Sequence, residues 1–406
     1  MRGINKENII LENEVFDRNY IERRMGEGGF NSISKFELFI WDLEMLLQLQ
    51  KKLGDKIILK GGAAAQFYIP VAYQRTSVDI DMICLATSGE LHEALSEIEQ
   101  EFNGEMDYCK FIAHRPKNPK LELGALETYY CKVPSICDTK ELNAPRGEQQ
   151  EIKVEILFSD RTFPVTQIER PELFALETRH VFKVLALEAL FADKLTTLGP
   201  NTIGITEDRA DEQFKQIYDL VTLFVSNAEQ VLSNKDKIRE HYRDAAITEC
   251  MIRNIPYDHE QLLRDMRLMV DRIKDIENSK AIQKFSNDFQ SLYLRKTVNR
   301  DKALWAIAGY QLGLLIEHIF GDCTKILHYR EIEEITNKLQ FDNIRGPERG
   351  RLNNEVRSAL ETAFGAIPEL SKDLMKKRLS RIVWELASIV PLDEIRSTLR
   401  KAVADN

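Results

Sequence analysis

From Asp236 to the C-terminus the chain offers only helix-like periodicity, broken at Asn254-Ile255-Pro256, around Gly346-Pro347 and near Pro368 and Pro391. Strand-like runs are confined to the part before it. A chain with this asymmetry builds its sheet in one half and packs helix on helix in the other. The expected architecture is therefore α/β (α+β): a mixed sheet with flanking helices, then an all-helical C-terminal domain. The expected division is an N-terminal arm over 1–31, an α/β domain over 32–235 and a helical domain over 236–406.

Within the first half the signals alternate. Residues 1–31 are polar and punctuated by Gly26, Gly28 and Gly29, which reads as an irregular lead-in. Ser34 and Glu37 have capping-box spacing ahead of Phe36, Ile40, Leu43 and Leu47, and Gly54 supplies a stop. Lys56 to Lys60 is β-rich, then Gly61-Gly62 opens a short run of alanines that Pro70 closes. Val78 to Ala86 is again β-rich, and Thr87 with Glu90 caps a helix carrying Leu91, Leu95, Ile98 and Phe102. Strands are expected at Phe111-Ile112, Tyr129 to Val133 and Glu151 to Phe158. Beyond about residue 170 the pattern reads as helix, with amphipathic segments at Phe182 to Leu198 and Asp211 to Phe224 joined by a polar Gly199 to Arg209 loop.

Composition removes some classes of function. Lys and Arg number 56 against 65 Asp and Glu, a net charge of −9, so any polyanion must meet a local basic surface. The six cysteines, at 84, 109, 131, 137, 250 and 323, form no CxxC pair and no zinc spacing. They read as reduced thiols of a cytoplasmic protein. The N-terminus lacks the apolar core of a signal peptide. The longest uncharged apolar run, Ala303 to Ile316, is too short to span a bilayer and reads as a buried core helix, so no membrane contact is expected.

The chemistry is carried by Asp79-Ile80-Asp81. On a strand, residues i and i+2 share a face, roughly 6.6 Å apart. Two carboxylates there repel each other and lose water. A divalent cation relieves both penalties, because Mg²⁺ prefers oxygen ligands. The pair alone could equally be a solvated strand end. Gly61-Gly62, between a strand and a helix start, lets backbone amides approach a phosphate, or simply makes a tight turn. Arg75-Thr76-Ser77 puts a cation and hydroxyls just before the acids. Glu155, in Lys153-Val154-Glu155-Ile156, is a third carboxylate on a later strand, or half of a surface Lys/Glu alternation. Lys194 can snorkel from an apolar helix face toward phosphate. Asp219 sits among Ile217, Leu220 and Val221, where an unpaired carboxylate is costly. A salt bridge to Lys194 or Lys215 is the plain alternative.

Taken together, Leu59-Lys60-Gly61-Gly62-Ala63-Ala64, Arg75-Thr76-Ser77-Val78-Asp79-Ile80-Asp81, Lys153-Val154-Glu155, Ala192-Asp193-Lys194-Leu195 and Tyr218-Asp219-Leu220 resemble, in order, the motifs of the nucleotidyltransferase superfamily. Within it the chain is similar to the AbiEii/AbiGii-type toxins of type IV toxin–antitoxin systems. The resemblance implies a nucleotidyltransferase that moves NMP from an NTP to an acceptor hydroxyl and releases pyrophosphate. It implies Mg²⁺ (or Mn²⁺) on Asp79 and Asp81, with Glu155 as the least secure ligand. Lys60, Gly61, Gly62, Arg75, Ser77 and Lys194 would meet the nucleotide, and Asp219 would complete the site. It also implies an RNA or tRNA 3′ end as acceptor, a phage-defence role, and a separately encoded antitoxin as partner.

Two other readings remain open. One is transfer to a small cationic molecule such as an aminoglycoside, which suits the net acidic charge. Against it stands the cluster Lys372, Lys376, Lys377, Arg378 and Arg381, either a basic stripe on one helix or a solvated helix face. The other is a non-catalytic relic that binds nucleotide or a partner protein.

Overall fold

The computed structural model describes residues 6–103, 109–114, 125–136, 149–340, 346–368, 370 and 376–404. The chain divides into two compact units: Met1–Leu262 with Phe285–Asn299, and Leu263–Lys284 with Arg300–Asn406.

The first unit holds a seven-stranded mixed sheet. Its strands are β1 (Ile57–Lys60), β2 (Asp79–Cys84), β3 (Phe111–Ala113), β4 (Leu126–Pro134), β5 (Gln149–Phe158), β6 (Val165–Glu169) and β7 (Val181–Leu185). They lie in the order β3-β4-β5-β2-β1-β7-β6. β2 runs parallel to β5 and antiparallel to β1, and β1 runs parallel to β7. The helices of this unit are α1 (Arg18–Gly28), α2 (Ile33–Leu53), α3 (Gly61–Ala65), α4 (Ser88–Phe102), α5 (Leu187–Thr196), α6 (Ala210–Ser226), α7 (Ala228–Ser233) and α8 (Lys235–Ile252). α2 packs on β1, β2 and β5, while α5 packs on α3, α6 and α8. Central-strand residues Ile80, Val154 and Ile156 are fully buried, so one face of the sheet is sealed by apolar packing.

Local chemistry explains most boundaries. Thr87 and Glu90 form the expected reciprocal capping box at the start of α4. Gly54 ends α2 with φ +61, a conformation that suits glycine. Three local expectations change. α2 is capped by Ser32, whose hydroxyl accepts from the Lys35 amide, while Ser34 lies inside the helix and Glu37 takes the Ile136 amide instead. The lead-in contains α1, seated on α2. The segment expected as one helix from Phe182 is strand β7 followed, after Ala186, by α5. Antiparallel pairing with β6 and parallel pairing with β1 override the local helical reading there.

The second unit shows no strand among its described residues. α9 (His259–Lys274) and α10 (Lys280–Tyr293) cross the division; α11 (Lys302–Phe320), α12 (Tyr329–Lys338), α13 (Pro347–Phe364), α14 (Leu379–Ile389) and α15 (Leu392–Ala404) lie within it. α11 contains the long apolar run. It is long and apolar enough to cross a membrane by length and composition, and most of it is buried in the protein. α14 packs on α11, α12 and α15.

The basic cluster does not form a stripe. Arg381 is buried, pairs with Glu385 and with Glu277 (3.1 Å), and lies over the Tyr310 ring at 5.0 Å. Lys377 reaches Glu277 (3.2 Å) and Arg378 reaches Asp301 (2.5 Å). Lys376 and Arg378 precede α14, and Lys372 and Cys137 lie outside the described residues. Lys377, Arg378 and Arg381 each meet a carboxylate, and only the Arg378 pair is largely exposed.

Candidate active site

The site grows from three adjacent strands. Lys60, the last residue of β1, pairs in register with Asp81 of β2, and Asp81 pairs in turn with Glu155 of β5. Asp79 pairs with Lys153 one step along. Because side chains alternate, Asp79, Asp81, Lys153 and Glu155 share one face, while fully buried Ile80 and Val154 point to the other. The two aspartates therefore stand on the same side of their strand.

Gly61 follows directly, with φ +70, and a Cβ there would fall 2.0 Å from Asp81 Oδ2. No other residue lets the turn approach the carboxylate so closely. A Cβ on Gly62 would lie 2.7 Å from Arg75 Nη2 and 3.1 Å from Ser77 Oγ. The double-glycine turn is thus seated on the Arg75-to-Asp81 segment, and each glycine is required by a different neighbour.

The carboxylates of Asp79 and Asp81 make no hydrogen bond or ion pair with any described residue. Burial pushes the Asp81 carboxyl up to about 7, Glu155 and Asp79 add to the rise, and Lys60 and Lys153 oppose it. Two adjacent hard-oxygen donors left without a protein partner fit a divalent cation. Glu155 differs, since its carboxylate is held by Lys153 at 2.7 Å. Among the described residues no set of three or more carboxylate, imidazole or thiol side chains is arranged to enclose a metal, so the donors on offer are the two aspartates.

Behind this pair lies a saturated one. Asp219 of α6 is fully buried. It accepts from Arg75 Nε (2.8 Å) and Nη2 (2.7 Å), and Lys194 Nζ stands 2.7 Å from its Oδ2. Burial works against its charge, but Arg75 and Lys194 outweigh burial and hold the carboxyl below the ordinary aspartate range. Arg75 also donates to the Thr76 carbonyl (2.7 Å), so its guanidinium is turned inward, away from the position against phosphate that the sequence suggests. Lys194 donates in addition to Gln216 Oε1 (2.9 Å). An ammonium has three N–H donors, so one is left over.

Lys60, Gly61, Gly62, Asp81, Glu155 and Lys194 line one open cleft of about 410 Å³, while Asp79 and Ser77 are not among its lining residues. Asp219 and Arg75 stand behind it. Four residues bearing on the site escape the sequence reading. Asp193 takes Lys60 Nζ at 2.9 Å. Burial opposes the Lys60 charge, but Asp193, Glu249 and Asp81 raise its pKa overall. Glu249 of α8 and Arg253, the residue that ends it, form an ion pair on the cleft wall. Asp42 of α2 is fully buried with neither oxygen bonded, and burial, Asp79 and Asp81 push it far up. The signal for Asp193 was its place beside Lys194; that for Asp42 was an acid, one of two with Glu44, in the otherwise apolar Phe39-to-Leu47 run.

The AbiEii family model, the nucleotidyl transferase toxin of type IV toxin–antitoxin systems, matches residues 45–295, more than half of the chain. The chain belongs to this family. AbiEii membership makes it a nucleotidyltransferase of a toxin–antitoxin system, with an NTP as substrate and an antitoxin as partner. No curated protein matches it. Among solved structures it is similar to an H. pylori protein assigned as a nucleotidyltransferase, at 16% identity over 69% of this chain and 93% of that one, with a TM-score of 0.35. It is also similar to MenT4, a nucleotidyltransferase toxin from Mycobacterium tuberculosis, at 13% identity over 76% of this chain and 98% of that one, with a TM-score of 0.39.

Proposed function

We propose that this AbiEii-family chain is a metal-dependent, cytoplasmic toxin that transfers NMP from an NTP to the 3′-terminal hydroxyl of an RNA, with tRNA as the favoured class and phage defence as the setting. The observation that carries this reading is the unpartnered Asp79/Asp81 pair beside Gly61. Mg²⁺ held by these two carboxylates would neutralise charge on the triphosphate and lower the pKa of the acceptor hydroxyl. The chain's own part is placement. The Gly61 and Gly62 amides and the free Lys194 N–H offer fixed donors to phosphate oxygens, so no reorganisation is needed when charge develops. Ser77, beneath Gly62, supports the same turn. Asp219 is a positioning residue in this scheme, orienting Lys194 from behind.

A polyanionic acceptor is supported by the surroundings of Asp79. Lys35 and Lys215 lie over the Tyr293 ring, at 5.7 and 4.3 Å, and neither forms an ion pair with a carboxylate among the described residues. Burial and nearby Arg75 depress the Lys215 pKa, an unfavourable setting that a phosphate would relieve. Tyr293 is fixed there by its carbonyl, which accepts from the Thr76 amide (3.1 Å).

The test is incubation of the full chain with each labelled NTP and Mg²⁺, against total RNA in one arm and aminoglycosides in another. Label on RNA, lost with EDTA and with Asp81→Asn, is the expected result. Label on the aminoglycoside alone would assign the small-molecule reading. Absence of metal-dependent NTP binding by calorimetry would assign the relic.

A further inference from the structure

Register gives the cleft two chemically different zones. Lys60, Asp81 and Glu155 lie side by side at one level of the sheet. Two residues further along β5, on the same face, stands Leu157, paired across to Leu126 of β4. Both leucines line the cleft, and α8 faces them with Glu249, Ile252 and Arg253. The charged zone therefore passes into an apolar slot roughly 6.6 Å along the strand. A planar, weakly hydrated ring would bury well there, while the phosphates to which it is joined remain at the glycine turn. A cleft of about 410 Å³ lies within the usual range for a whole small-molecule ligand.

Glu249 and Arg253 add a polar edge to this slot. They are ion-paired one helical turn apart and only partly exposed, at 23% and 34% of their side-chain surface. Glu249 lines the same cleft as Lys60 and adds to the negative field that raises the Lys60 pKa. Such a pair offers one acceptor next to a fork of donors. It can meet a base edge that presents an N–H beside an acceptor, which the four bases offer at different places and in different orders.

We propose that the end of α8 is the nucleobase-reading wall of the site: Leu126, Leu157 and Ile252 enclose the ring, and Glu249 with Arg253 reads the polar edge of the base. This rests on the nucleotide reading of the cleft. It assigns NTP choice to a helix that carries none of the nucleotidyltransferase motifs.

The experiment is calorimetric titration of the full chain with the four NTPs and, as a probe without a base, inorganic tripolyphosphate, all with Mg²⁺. The four NTPs are expected to bind the unchanged protein unequally, the best of them at least tenfold more tightly than tripolyphosphate. Arg253→Met should weaken the favoured NTP tenfold or more and leave tripolyphosphate within twofold. Glu249→Gln should reorder the four NTPs. Ile252→Glu, on the same wall, gives a second route: NTP binding should drop while tripolyphosphate binding persists. Unchanged NTP ranking and affinity in all three variants would overturn the proposal, leaving the pair as an ordinary helix ion pair. Equal loss of NTP and tripolyphosphate would also overturn it, as general damage to the cleft. If the unchanged protein binds tripolyphosphate and no NTP better than that, the base slot alone fails. If it binds neither, the nucleotide reading fails with it.

Discussion

Two carboxylate centres in the same unit are treated in opposite ways. Asp219 is fully buried, meets three donors from two cations, and keeps its charge easily. Asp81 stands at the cleft, meets none, and its carboxyl is pushed up to about 7. A fully satisfied buried ion network fixes geometry, whereas an unsatisfied charge at a cleft is held ready for something the chain does not contain. The contrast separates the two acids by their surroundings even though both stand in short polar motifs of similar appearance.

The sharpest way to break the contrast is to remove the charge from each centre in turn. Asp81→Asn should reduce nucleotide transfer roughly a thousandfold or more, equivalent to about 4 kcal/mol of barrier. It should not lower the melting temperature, because no protein partner is orphaned. A stable but inactive variant is the signature sought in paired rate and thermal measurements; a folded variant with wild-type rate would end the assignment.

Asp219→Ala should do the reverse. It leaves Arg75 and Lys194 buried without a counter-charge, at a cost of about 3–5 kcal/mol, or on the order of 10 °C in melting temperature. Activity would fall through loss of fold and of Lys194 placement. Asp219→Asn, which keeps some hydrogen bonding, should be milder in stability than Asp219→Ala. Equal stability of both variants with the parent would show that the network is not what holds this corner.

The sequence made the placement of the two cleft-side acids legible and left the buried one half read. Asp-x-Asp on a strand needs only a two-residue period to put both acids on one face, and Gly61 and Gly62 advertise a close backbone approach. The apolar neighbours of Asp219 marked it as needing a partner, and Lys194 was named as one. Arg75 was not, because its partner lies 144 residues away in the chain and only the fold brings them together. The same limit hid β7. Val181 to Leu185 runs into α5 with a single intervening residue and no glycine or proline, so local pattern could not separate strand from helix. Lys377 and Arg381 misled for the related reason that a surface stripe and an internal ion network share one composition.

A smaller effect follows from the titration of the two centres. With Asp81 at about 7, transfer should rise with pH between 6 and 8 and level off above, and excess Mg²⁺ should move the midpoint down by favouring the ionised form. Stability should respond in the opposite sense. The unfolded chain releases this proton near pH 4 and the native one near 7, so the native state binds more protons between, and stability falls as pH rises through that window. Asp219 contributes the other slope: its depressed carboxyl stabilises above about pH 4 and loses that contribution as pH falls further. Thermal melts across pH 3–8 should therefore show a maximum, lost on the acid side in Asp219→Asn and flattened on the neutral side in Asp81→Asn.

The finest test concerns Asp42, which belongs to neither class. It is as buried as Asp219 yet has no hydrogen-bond partner on either oxygen, and burial together with Asp79 and Asp81 drives its carboxyl well above the ordinary range. If a buried acid had to be charged to serve the site, Asp42→Asn would cost activity. If it is a neutral filler of α2, Asn occupies the same volume and nothing is lost. The electrostatics favour the second outcome, since ionising Asp42 would place a third negative charge near two that already repel. Asp42→Asn is expected to leave the transfer rate within about twofold and to raise stability at pH 6, where the unfolded acid is ionised and the native one is not. It should also flatten the decline in melting temperature toward pH 9, because the native-state proton it replaces no longer has to be retained. A rate loss comparable to that of Asp81→Asn, in a variant of normal stability, would move Asp42 into the catalytic group and dissolve the distinction between charges that fold this unit and charges that work in it.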